Sequence, residues 1–169
     1  KNLPASELVF SFKTKNKVAF TKKYSIKERR ANSAQRQSFD SSDMMYLIMP
    51  DRFANGNPNN DSDKSTNEKA NRSLPGGRHG GDIAGIIKNL DYLDELGVTA
   101  LWSTPLCEDN DKGYSYHGYG QSDLYKIDPR YGTNEEYVKL SSEMKKRGMK
   151  LVKDYVTNHW GAEHWMFKD

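Results

Sequence analysis

Cysteine is nearly absent: Cys107 stands alone in 169 residues. No disulfide can form within the chain, and its compartment cannot be read from redox chemistry. Long apolar runs are missing too. None approaches the roughly 20 residues that a membrane span requires, and Lys1 does not open a signal-peptide pattern. Zinc-type spacing is also missing. His159 with His117 or His164 is a conceivable combination, but no Cys/His cluster supports it. The length suits one domain of ordinary size. With 35% hydrophobic and 29% charged residues, the chain is polar for a globular protein.

The net charge of +3 is unevenly spread. Residues 1–39 hold ten Lys/Arg against two Glu, and the remainder holds 16 against 21 acidic residues. A basic arm for nucleic acid is one reading. The basic residues, however, interleave with apolar ones, as on an exposed strand face. "ELVFSFKTKNKVAF" (7–20) predicts two strands joined at Lys15–Asn16. Residues 26–43 are polar and nearly free of large apolar side chains, which predicts a linker. The expected boundary follows Ser38, with a first segment at 1–38 and a second at 39–169.

Beyond the linker the pattern is regular. "MYLIM" (45–49) reads as a strand buried on both faces. Ile83, Ile86, Ile87, Leu90, Leu93 and Leu96 recur at helical spacing, and Gly97 ends that helix. "VTALW" (98–102) is a second strand. Thr133 and Glu136 predict a capping box for a helix carrying Tyr137, Leu140 and Met144, which Gly148 ends. "KLVKDYV" (150–156) is a third strand. The order β-α-β-α-β argues for a parallel sheet with helical crossovers.

Connection lengths point to the functional side. Helix-to-strand turns are very short, whereas the strand-to-helix connections, 51–81 and 103–132, run to 31 and 30 residues. Connections that long are usually functional. Both leave the carboxyl ends of strands, where barrels and open α/β sheets build their sites.

The first connection holds "FANGNPNNDSD" (53–63), rich in carboxylate and amide oxygens. Calcium takes six to eight such oxygens, backbone carbonyls included. The spacing is not that of an EF-hand, and composition alone suits a set of Asx turns equally well. "GGRHGGD" (76–82) returns the chain through glycines that permit close backbone approach. The second connection holds "GYSYHGYGQSD" (113–123). Tyrosines offer a flat apolar face and a hydroxyl, which suits a sugar ring, but ordinary loop packing explains them too. After the third strand, "KDYVTNHWG" (153–161) sets Asp154 at a strand end, followed by Asn158 and His159.

Together these stretches resemble the α-amylase family of glycoside hydrolases over roughly residues 44–169. "DYVTNH" (154–159) is similar to that family's first signature region, at the third barrel strand. "YHGY" (116–119) with "DLYKIDPRYG" (123–132) is similar to its loop after strand two. "DRFANGNPNND" (51–61) with "GGD" (80–82) resembles the calcium loop of the neopullulanase, cyclomaltodextrinase and cyclodextrin-glycosyltransferase members. The N-terminal segment resembles the end of the β-sandwich that precedes the barrel in neopullulanase-like enzymes.

The resemblance implies an α/β fold: the first three β/α units of a (β/α)8 TIM barrel, preceded by the end of a β-sandwich. It implies that Asn55, Asn57, Asn60, Asp61, the Gly80 carbonyl and Asp82 hold one Ca2+. It implies that Tyr119 stacks on the glucose ring before the cleaved bond, that His159 hydrogen-bonds that sugar, and that His117 lines the pocket. Asp154 is implied as a buried organiser of the site. The implied activity is retaining hydrolysis of α-1,4-glucosidic bonds in cyclodextrins, pullulan or maltooligosaccharides. Retention needs two carboxyl groups about 5–5.5 Å apart. The family carries them at later strands, so the nucleophile and general acid are expected after Asp169, and this chain alone is expected to be inactive. The implied partners are the glucan, the remainder of the chain's own barrel and, in the full enzyme, a second copy in a homodimer. No nucleic acid or membrane span is implied. A periplasmic or secreted location is expected from calcium use and a polymeric substrate. The rival expectation is a non-catalytic glucan-binding or structural module that retains the calcium loop.

Overall fold

The computed structural model describes residues 4–15, 17–35 and 38–167, in two compact units, Lys1–Ser38 and Phe39–Asp169. The first unit is an antiparallel hairpin of β1 (Ser6–Thr14) and β2 (Lys17–Ile26). Lys15 turns the chain with a φ of 46°; Asn16, the other expected turn residue, lies outside the described residues. The register shifts after Phe12, and Phe12 and Phe20 stack with ring centroids 4.3 Å apart. Within this unit the apolar side chains Leu8, Val9, Phe10, Val18 and Tyr24 stay exposed.

The second unit is built on a parallel sheet of order β3 (Met45–Ile48), β4 (Ala100–Ser103) and β7 (Lys150–Lys153). Cross-strand rows run Leu47–Trp102–Val152 on one face and Tyr46–Leu101–Leu151 on the other. The amino ends of the strands are clamped by Asp43. Its carboxylate accepts from Thr99 Oγ1 at 2.8 Å and from Lys150 Nζ at 2.6 Å. The strand expected to be buried on both faces is not: Leu47 is 56% exposed while Ile48 is buried. β3 is an edge strand, and helices cover one face only, so the apolar run alternates in burial like any half-covered strand.

The crossover after β3 passes through a short helix α1 (Pro50–Phe53) and a long loop, then enters α2 (Ile83–Lys88) and α3 (Leu90–Glu95). Periodicity predicts one continuous helix here. Asn89 divides it, with φ −109° and ψ 15°. Its Nδ2 donates to the Gly85 carbonyl at 2.8 Å, and its own N–H turns to Ile86 O, one residue short of helical register. A side chain that bonds the i−4 carbonyl thus competes with the helix it sits in. Leu96, assigned to the apolar face, is exposed.

The crossover after β4 contains β5 (Cys107–Asp109) and β6 (Gln121–Ile127), a small antiparallel pair inside what reads as loop in the sequence. It then enters α4 (Asn134–Lys146). The capping box forms as expected: Glu136 N donates to Thr133 Oγ1, and Thr133 N donates to Glu136 Oε2. Gly97 and Gly148 end their helices with φ of 86° and 72°. Ile83, Ile86, Leu90, Leu93, Leu101, Leu140 and Met144 close the core around Tyr131. α2 and α4 pack together, and because the strands are parallel both long connections leave from the same, carboxyl, end of the sheet. No helix among the described residues is long and apolar enough to cross a membrane.

Candidate active site and calcium loop

Two sets of predicted residues assemble at that end. The first surrounds Asp154, just beyond β7. Asp154 Oδ2 accepts from Tyr119 Oη at 2.9 Å and from Trp102 Nε1 at 3.2 Å. Burial and the bond to Asp154 push the Tyr119 phenol above its ordinary pKa. Asp154 is half-buried rather than buried as expected, because Tyr119 and Trp102, its covering neighbours, are themselves each 36% exposed.

Both histidines are committed to the Tyr119 backbone. His117 Nδ1 accepts from Tyr119 N at 2.9 Å. With Nδ1 an acceptor the ring is neutral, and burial lowers the His117 pKa against the pull of Asp111 and Glu68. Its 3.9 Å approach to Asp109 Oδ2 is then no ion pair. His159 Nε2 lies 3.1 Å from Tyr119 O. A carbonyl only accepts, so Nε2 carries the proton and Nδ1 accepts from Asn158 Nδ2 at 3.0 Å. Both nitrogens of His159 are engaged, and a sugar hydroxyl would have to exchange for one of these bonds. A cavity of about 420 Å3, lined by Thr157, Asn158, His159, Trp160 and Phe167, opens beside it. His164 is buried and stacked on Trp160 at 4.5 Å. No cluster of three His, Cys, Asp or Glu with metal-site geometry occurs among the described residues.

The second set is the 53–63 loop and its return. Asp82 caps α2: Oδ1 accepts from Gly85 N at 2.6 Å and from Gly56 N at 2.9 Å, and Oδ2 accepts from Asn57 N at 2.9 Å. One carboxylate therefore fastens the polar loop to the helix. Asn57 caps a single 3-10 turn at Pro58–Asn60. Asn55 Nδ2 donates to Asp61 Oδ1 at 2.5 Å, and Arg72 Nη2 reaches Asp61 Oδ2 at 3.1 Å. Asn60 Oδ1 is buried with no hydrogen-bond partner among the described residues. Gly80 has a φ of +87°, and a Cβ there would fall 2.7 Å from Asp61 Oδ1. Only glycine lets that carboxylate approach the backbone so closely.

Residues without an assigned role in the sequence connect the two sets. Asp51 is buried, and its carboxylate accepts from the N–H groups of His79 and Gly80. Arg130 clasps Asp128 through Nε and Nη2. Burial acts to raise the Asp128 carboxyl, but the hydrogen bonds from Arg130 with the charges of Arg78 and Arg130 outweigh it and hold it low. Asp109 is buried with no Lys or Arg paired to its carboxylate among the described residues. Burial pushes it up to about 7, although it accepts from Asp111 N at 3.2 Å and Gly120 N at 2.9 Å. Asp128 and Arg130 stand in "DLYKIDPRYG", and Arg78 in "GGRHGGD". Proximity in sequence to the motifs was the available signal. Their burial was not legible.

Parallel strands joined by helices, with polar and aromatic loops gathered at the strands' carboxyl ends, define an α/β protein with its site where barrel enzymes build theirs. The profile of the alpha-amylase catalytic domain matches residues 47–169, and the chain belongs to this family. It is 41% identical over 130 residues to neopullulanase 2 of Thermoactinomyces vulgaris, covering 75% of this chain and 21% of that protein. It is 36% identical over 124 residues to a cyclomaltodextrinase of Geobacillus thermopakistaniensis, covering 73% and 20%. The solved alpha-amylase of Geobacillus thermoleovorans, complexed with acarbose, superposes with a TM-score of 0.62 at 37% identity, covering 75% of this chain and 25% of that one. The chain thus spans about a fifth to a quarter of the length of these relatives.

Proposed function

We propose that this chain supplies the sugar-stacking and calcium-holding part of a glycoside hydrolase that cleaves α-1,4-glucosidic bonds with retention. The substrates are cyclodextrins, pullulan or maltooligosaccharides. The observation that carries the reading is the convergence of Tyr119, Trp102, His117 and His159 on Asp154 and the Tyr119 backbone. An aromatic face edged by hydrogen-bonding groups matches a glucose ring, which has an apolar C–H face rimmed by hydroxyls. Asp154 accepts two donors and so orients Tyr119 and Trp102. The nucleophile and general acid belong to the part of the enzyme beyond Asp169. In this reading the three parallel strands open a (β/α)8 barrel whose remainder covers the Leu47–Trp102–Val152 face. The β1–β2 hairpin closes a preceding β-sandwich.

Calcium fits the polar loop. The donors are amide, carboxylate and carbonyl oxygens, the type this cation prefers. Asn60 Oδ1, buried and without a hydrogen-bond partner among the described residues, and the glycine cradle beside Asp61 both suit an ion. Asn55, Asn57, Asn60, Asp61, the Gly80 carbonyl and Asp82 would hold it, and its charge would pin the loop to α2. A periplasmic or secreted location and homodimerisation of the intact enzyme complete the reading, the first supported by a polymeric substrate.

The test is the anomeric form of the first product that the full-length enzyme releases from maltoheptaose, followed by proton NMR. An α-anomer is expected. A β-anomer would overturn retention. Binding without cleavage would favour a glucan-binding module.

A further inference from the structure

The fully buried guanidinium of Arg78 stands between the two sets of residues and touches both. On one side, Nε lies 3.8 Å from Asp51 Oδ1. Asp51 in turn holds the peptide N–H groups of His79 and Gly80, at 2.8 Å and 3.2 Å. The next peptide carries the Gly80 carbonyl, and its N–H, that of Gly81, donates to the Asp51 backbone carbonyl at 3.0 Å. On the other side, Arg78 Nη1 donates to the Ser115 carbonyl at 3.1 Å and to Ser115 Oγ at 3.2 Å. Ser115 opens the 3-10 turn that ends at His117. Glu68 grips the same turn by accepting from Ser115 N at 2.8 Å and Ser115 Oγ at 2.6 Å. The Arg78 guanidinium stacks 4.5 Å over the Tyr131 ring, and Tyr131 Oη donates to Tyr116 O at 2.6 Å. Arg52 makes a parallel link. It pairs with Asp51 and lies 4.0 Å over the Tyr116 ring.

The Arg78 contacts are incomplete. Its distance to Asp51 is 3.8 Å and to Asp128 Oδ2 3.9 Å, both beyond hydrogen-bond reach. Nε and Nη2 are buried and make no hydrogen bond among the described residues. Buried charged donors left unpaired are costly. An approach of about 0.6 Å by Asp51 Oδ1, which the 79–81 turn holds through the His79 and Gly80 N–H groups, would bring it within reach of Nε. Nη1, on the same planar guanidinium, is already bonded to Ser115. Movement of the calcium-side turn is thus opposed or favoured by the sugar-side turn through one rigid, multiply bonded side chain.

We propose that Arg78 is a positioning residue that couples cation binding at 79–82 to sugar binding at Tyr119. Ordering of the Gly80 turn closes the Arg78–Asp51 contact and fixes the Ser115–Tyr119 segment; sugar binding works back along the same path. The inference rests on the reading of both sites given above, and the experiment separates the two.

In the full-length enzyme, calcium is titrated by calorimetry with and without saturating acarbose, and acarbose with and without calcium. Each ligand is expected to tighten the other by the same factor, about fivefold or more, since linkage is reciprocal. Arg78→Lys keeps the charge but loses the planar fork, and Ser115→Ala removes one acceptor of the link. Arg78→Lys is expected to bring the factor to near one while both ligands still bind, and Ser115→Ala to reduce it. A factor of one in the wild type overturns the proposal, whatever the variants do. A wild-type factor that survives in Ser115→Ala and in any folded Arg78→Lys overturns the role of Arg78. Failure of calcium or acarbose to bind at all overturns the underlying site reading instead.

Discussion

The phenol of Tyr119 donates a 2.9 Å hydrogen bond to Asp154 Oδ2, across 35 positions of sequence. The bond joins a loop on the second crossover to the end of β7. Trp102 Nε1, from the strand between, bonds the same oxygen. One carboxylate oxygen therefore sets the positions of two aromatic rings, and the chemistry of that oxygen can be separated from the apolar face it holds.

Tyr119→Phe keeps the ring and deletes the bond to Asp154; Tyr119→Ala deletes both. In the intact enzyme, Tyr119→Ala should lower kcat/KM by about fivefold or more, because aromatic stacking is worth about 1 kcal/mol or more. Tyr119→Phe should lose less, with the change mainly in kcat if orientation is what the bond supplies. An alanine variant within about twofold of wild type would reduce Tyr119 to loop packing.

Asp82 accepts three backbone N–H groups, so Asp82→Ala should destabilise the unit by about 2 kcal/mol or more through loss of the helix cap and loop bonds. Calorimetry should also show tight calcium binding abolished, and the melting temperature should cease to respond to EDTA. Unchanged calcium binding would remove Asp82 from the ligand set. Asp82→Asn keeps one acceptor and should recover part of the stability without the calcium affinity.

Gly80→Ala places a methyl in a left-handed conformation, 2.7 Å from Asp61 Oδ1. Destabilisation of about 1–3 kcal/mol is expected. Chemical denaturation should find it equally in EDTA, since strain needs no cation. An effect seen only with calcium present would mean that Asp61 yields freely and that the residue matters through the ion alone.

Asp109 is raised from 3.8 to about 7 by burial, with Asp111 and Asp128 adding repulsion. The fold therefore favours its neutral form. That contribution is fully present below the unfolded pKa near 3.8 and is lost as pH rises through about 7. Stability relative to Asp109→Asn should fall across that window, by on the order of a few kcal/mol. Denaturant titrations at pH 5 and pH 8 check the sign; a stability difference from Asp109→Asn that is the same at both pH values would mean that Asp109 is ionised throughout. The groups facing it are Asp111, His117, Asp128 and Arg130, of which Arg130 is held by Asp128.

Local pattern carried much of the architecture. Thr133 and Glu136 form their box, and the glycines at 97 and 148 end helices, because capping and positive φ depend on a few neighbouring residues. The break between Ile83 and Leu96 is invisible to periodicity, which does not register a side chain that competes for a helical carbonyl, as Asn89 does. β5 and β6 leave little pattern because they pair at three positions across a long turn, with two register shifts.

The sequence by itself determined the order of the three parallel strands and the helical crossovers between them, the two long connections, and the composition of each: oxygen-rich in one, tyrosine-rich in the other. These follow from periodicity and turn chemistry, which act over a few residues. Only the tertiary structure decided that Trp102 would join Asp154, and that His159 would be held on the Tyr119 carbonyl. It also placed Arg78 between Asp51 and Ser115, out of water. Such contacts join residues tens of positions apart. They form only when the sheet register and the crossovers bring three loops to one end of the strands.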